Sequence, residues 1–151
     1  MHEEPFRLFF PIAVLAGLLG VLLWPVMIAG WMTDYPGLRH ARLMTHGFFG
    51  GFILGFMGTS MPKLLEVKQL SVFEAVLPLL LHFSSVVAHA CGATLPGDAL
   101  FAAALVWMVA ALVRRFPDRK DLPPPGFVLL GLGFICGLAG MVMQQTASTR
   151  E

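Results

Sequence analysis

Long apolar runs without charge, recurring about five times in 151 residues, leave this chain little option but a bundle of membrane-spanning helices. A helix needs about 20 apolar residues to cross roughly 30 Å of hydrocarbon. Charged and turn-forming residues divide the sequence into spans at about 8–32, 43–62, 74–95, 98–114 and 126–144. The breakers include Thr33-Asp34-Tyr35-Pro36-Gly37, Lys63, Pro96-Gly97-Asp98, Arg114-Arg115 and Pro123-Pro124-Pro125-Gly126. The runs do not alternate in polarity as barrel strands do, and open sheets cannot satisfy their edges in lipid. The expected fold is therefore all-α, a polytopic membrane helical bundle forming one transmembrane domain over residues 1–151. Composition agrees: 57% of the residues are hydrophobic and 13% charged, against about a quarter charged in soluble domains.

Loop charge predicts the orientation. With five spans, Arg7, Lys63, Lys68, Arg114, Arg115, Arg119 and Lys120 share the N-terminal side, and only Arg39, Arg42 and Arg150 lie opposite. Basic residues collect on the cytoplasmic side. The N-terminus is thus expected in the cytoplasm and the C-terminus outside, in a cell inner (plasma) membrane. The first run follows Met-His-Glu-Glu-Pro, which is not a basic leader, and it has no clear small-residue cleavage site, so it reads as a retained span. A net charge of +1 gives no reason to expect a nucleic-acid partner.

Cys91 and Cys136 both fall in apolar runs, which suits packing thiols better than a disulfide framework. Gly47, Gly51 and Gly55 recur every fourth residue, and Gly133 and Gly137 repeat the spacing. Such faces allow close helix approach; a flat cofactor against the helix is the other reading.

Histidine is the unusual feature, because ionisable side chains are costly in a membrane and usually face the bundle interior. Apart from His2 in the tail there are His40, His46, His82 and His89. His82 and His89 are seven residues apart, within about 20° on one helix face, and Ser85 lies between them. Ser84 points elsewhere. His46 and His89 fall at matching depth on neighbouring helices, His40 just outside them and His82 deeper. Neutral imidazoles suit haem iron and copper. The paired ligands expected of a b-type haem are His46 and His89, with His82 and His40 in reserve and Arg39 and Arg42 placed to meet propionates. Histidines that only hydrogen-bond across helices are the plain alternative. The carboxylates, Asp98 among them, fall in loops or at span ends, so no pump-like proton relay is expected.

The segment Glu4-Pro5-Phe6-Arg7-Leu8-Phe9-Phe10-Pro11, leading into an apolar helix that reaches Trp24, resembles the start of the NnrS family. Residues 47–62, from Gly47-Phe48-Phe49 to Ser60-Met61-Pro62, look like that family's second helix. This register sets Arg39-His40-Ala41-Arg42-Leu43-Met44 against the family's Trp-His-x-His-Glu-Met motif. His40 and Met44 match it, whereas Arg42 stands for a histidine and Leu43 for a glutamate. The stronger likeness covers about the first 70 residues, as in a short or half-length relative. It implies a membrane protein with haem and copper, linked to nitric oxide metabolism.

The leading expectation is a membrane protein that binds haem b, copper being possible, and serves nitric oxide binding or response, or electron transfer. No catalytic residue is assigned. The alternative is a cofactor-free subunit packed on a partner protein. Partners are otherwise the lipid bilayer and a homo-oligomer or membrane complex.

Overall fold

The computed structural model describes residues 4–121 and 125–148, with side chains to Met143. His2, Arg150 and the Pro123-Pro124 part of the last breaker lie outside the described residues.

Helix α1 (Phe6–Ile28) has 23 residues, about 35 Å at 1.5 Å per residue. Next comes an unbroken helical stretch in three pieces: α2 (Gly37–Arg42), a π-helical segment (Leu43–Phe49) and α3 (Gly50–Leu64). Then follow α4 (Val72–Ala90), α5 (Thr94–Val113), a 3-10 turn (Phe116–Asp118) and α6 (Gly126–Ser148). Four helices are long and apolar enough to cross a membrane: α1, α4, α5 with its extension, and α6. No strand occurs among the described residues. The chain is an all-α, multi-pass membrane bundle. Large apolar side chains such as Leu15, Leu18, Leu22 and Val106 are exposed on its outside, which water would penalise and lipid does not.

Helix α4 starts at a capping box. Ser71 accepts from the Glu74 backbone amide, and the Glu74 carboxylate accepts from the Ser71 amide. Helix α5 departs from the sequence reading. The Pro96-Gly97-Asp98 breaker lies inside its first turns, because a proline near a helix start gives up no intrahelical hydrogen bond. The turn falls earlier, where Gly92 takes φ +81°, a left-handed conformation cheap only for glycine. The fourth span is therefore a full 20-residue helix.

The glycines of α3 and the π-helical segment serve packing. A Cβ on Gly47 would stand 2.7 Å from the Ala16 Cβ, and one on Gly51 would stand 2.8 Å from the Ala13 Cβ. Helix α1 fills the face that a flat cofactor would need. Below this contact the core gathers Phe9, Leu54, Met57, Phe101, Leu105 and Met108. Helix α6 leans on that cluster through Met141, Phe134 and Leu138. A Cβ on its Gly133 or Gly137 would meet nothing within 4 Å, so the close packing expected there is not made among the described residues. Cys91 and Cys136 are exposed rather than packed.

Candidate metal centre

Three buried side chains converge at the end of the bundle away from the N-terminus. His46 comes from the π-helical segment, His89 from the last turn of α4 and Asp98 from the first turns of α5. A π turn is wider than an α turn and is often found at functional sites. Here it keeps buried positions recurring every fourth residue, at 42, 46, 50 and 54 and at 43, 47, 51 and 55. Arg42 and His46 thereby face the same interior.

The donor atoms form a compact triangle. His46 Nδ1 lies 3.2 Å from Asp98 Oδ1 and 3.4 Å from His89 Nε2, and His89 Nε2 lies 3.7 Å from Asp98 Oδ1. The point equidistant from all three is about 2.0 Å from each, the bond length that first-row metals make to imidazole and carboxylate donors. These three residues would hold such an ion.

The surroundings hold the ligands in place. Arg42 Nη2 donates to Asp98 Oδ2 at 2.7 Å, with Arg42 8% and Asp98 2% exposed. This pair fixes the carboxylate and neutralises it at membrane depth. Phe101 stacks on the His46 ring at 4.6 Å and 9°. Gly97 lies against His89, where a Cβ would approach the imidazole Cε1 to 2.5 Å. Ser85 donates to the Gly97 carbonyl at 2.7 Å, tying α4 to α5 beneath the site.

His46 and His89 thus meet as the sequence suggested, and Ser85 shares the buried face while Ser84 is exposed. The other expected residues do not join them. His40 Nδ1 donates to the Gly20 carbonyl at 3.0 Å, and its ring meets the edge of Trp24. Arg39 pairs with Asp34 at 3.5 Å and lies over Gly92. His82 is fully buried with neither ring nitrogen hydrogen-bonded, set off from the triangle by Phe101.

Asp98 is the residue the sequence reading missed, having been assigned to a turn. A signal was available. Arg42 at the edge of an apolar run needs an acidic partner, and Asp98 follows a glycine that permits close approach of another helix.

A porphyrin held between His46 and His89 does not fit this arrangement. Its macrocycle would occupy the plane between the two imidazoles, where the Asp98 carboxylate lies within 3.7 Å of both. Arg42, the proposed propionate partner, is committed to Asp98. The donor set fits a single ion.

The model of one family, NnrS protein, matches residues 1–150, so the likeness extends well past the first 70 residues. No curated protein and no solved structure matches. The chain belongs to the NnrS family.

Proposed function

We propose that this chain is a metal-binding membrane protein that binds nitric oxide, or passes electrons, at a single ion held by His46, His89 and Asp98. The observation that carries this reading is the point about 2.0 Å from all three donors. Copper is the ion we assign. Imidazole suits it, and a set of only three protein donors suits its monovalent state. Charge favours the same choice. Asp98 and Arg42 cancel, so the centre carries only the charge of its ion, and a lower charge costs less to hold away from water.

The chain's own residues account for the rest. His46 and His89 hold the ion from two helices, and Asp98 closes the third side. Arg42 keeps the carboxylate aimed, while Phe101 and the apolar walls exclude water. A bound ion with only three protein donors would have capacity for a further small ligand such as nitric oxide. The bound ion would supply the electron-accepting and electron-donating capacity. From the distribution of basic residues we place the N-terminus in the cytoplasm, which sets the centre in the outer half of the membrane.

The test is metal analysis of detergent-purified protein after loading with copper(I) or iron(II), with an absorption spectrum before and after reduction. One copper per chain is expected, with no sharp reduced b-type band. His46→Ala and His89→Ala should each lower copper affinity by on the order of 100-fold or more, while His40→Ala should leave it unchanged. Stoichiometric b-type haem would overturn the single-ion reading. A protein that takes up neither metal nor haemin would instead be a packing subunit.

A further inference from the structure

At the opposite end of the bundle, α1, α4 and the end of α3 enclose a cleft of about 340 Å³. One end is polar, with Glu4, Lys63 and Gln69; the flank is apolar, with Leu8, Val72 and Val76. Leu8 and Val72 are exposed on the outside of the helices, where the bilayer lies. The cleft therefore joins the headgroup layer to the hydrocarbon.

The charges at its polar end are specific. Lys63 donates to Glu4, and Arg7 lies 3.9 Å from the same carboxylate. The hydrogen bond from Lys63 holds the Glu4 carboxyl below the usual carboxylate range, so it is ionised at neutral pH. Arg114 and Arg115 are engaged elsewhere, 3.2 Å and 2.5 Å from Glu74. Among the described residues the cleft lining thus carries one anion, Glu4, beside one cation, Lys63, both partly in solvent, and such exposed pairs open at little cost.

We propose that this cleft is a binding site for a phospholipid whose headgroup carries both a phosphate and a primary ammonium, the ethanolamine class. Lys63 would meet the phosphate and Glu4 the ammonium, while an acyl chain follows Leu8, Val72 and Val76 into the membrane. One ion pair, Lys63 with Glu4, is exchanged for two. A choline headgroup has no N–H to give Glu4. An anionic glycerol headgroup would leave Glu4 only the largely exposed Arg7, 3.9 Å away, and would lie beside its charge.

The test is thermal unfolding of the detergent-purified chain with added ethanolamine, choline or glycerol phospholipid of identical acyl chains. At about tenfold over Kd the ethanolamine lipid should raise the midpoint by about 3–6 °C, and the other two by clearly less. Glu4→Gln should abolish the difference between ethanolamine and choline lipids. Ala75→Trp, which fills the cleft without touching the charges, should remove the stabilisation by the ethanolamine lipid. Helical content by circular dichroism checks that both variants fold. Equal stabilisation by all three lipids, a preference for the glycerol lipid, or an ethanolamine preference that survives both variants would overturn the assignment.

Discussion

Asp98→Ala should lower folding stability by about 3–5 kcal/mol, because it leaves the Arg42 guanidinium charged, buried and without its carboxylate. Arg42 Nε already has no hydrogen-bond partner, so little else is at hand to take up the charge. The same substitution removes one of the three proposed ligands, and copper should be lost with it. Two effects in one variant need separating, and the double variant Arg42→Met/Asp98→Leu does so. Replacing both members of a buried ion pair by apolar side chains is often neutral or stabilising. The double variant should therefore regain most of the stability, while copper binding stays lost because only two imidazoles remain. Reversible unfolding in detergent with increasing denaturant, alongside metal analysis, reads both quantities. An Asp98→Ala protein within about 1 kcal/mol of wild type would mean that the pair is solvated and the centre open to water. Recovery of copper binding in the double variant would remove Asp98 from the ligand set.

The part of this arrangement that could be read from the sequence is the part governed by regular spacing. Apolar runs gave the helices, because length and hydropathy decide what spans lipid. The seven-residue spacing put His82, Ser85 and His89 on one buried face. Matching His46 to His89 needed only the antiparallel course of neighbouring spans. What was missed depends on local geometry that spacing does not encode. Pro96-Gly97-Asp98 has the composition of a turn, yet Gly92 makes the turn and the proline sits within α5. Asp98 is thereby carried from a loop into the interior. The π-helical segment from Leu43 to Phe49 has no residue signature beyond the every-fourth recurrence of buried positions. Arg42 was read as a surface cation for propionates because its acidic partner lies 56 residues away in the chain.

Gly51→Leu should be among the most destabilising substitutions outside the metal centre, and Gly137→Leu should be nearly silent. Both are glycines in apolar helices with the same four-residue repeat, so the sequence treats them alike. Their surroundings differ. A Cβ on Gly51 would lie 2.8 Å from both the Ala13 Cβ and His82 Nε2, and 3.3 Å from the Ala13 Cα. Relief would require moving backbone or a buried imidazole, since α1 and α3 touch there through their smallest residues. Overpacking a tight contact costs about 1–3 kcal/mol, and four added heavy atoms place Gly51→Leu at or above the top of that range. Around Gly137 a Cβ meets nothing within 4 Å, and exposed substitutions of that kind stay within about 0.5 kcal/mol. Unfolding in detergent compares the two directly. Equal costs would mean that α1 can slide on α3, and the glycine face would again be open to a flat cofactor. A large loss of stability in Gly137→Leu, accompanied by a change in oligomeric state, would instead mean that the glycines of α6 pack against another chain. Gly51 would then report contact within the bundle and Gly137 contact between bundles.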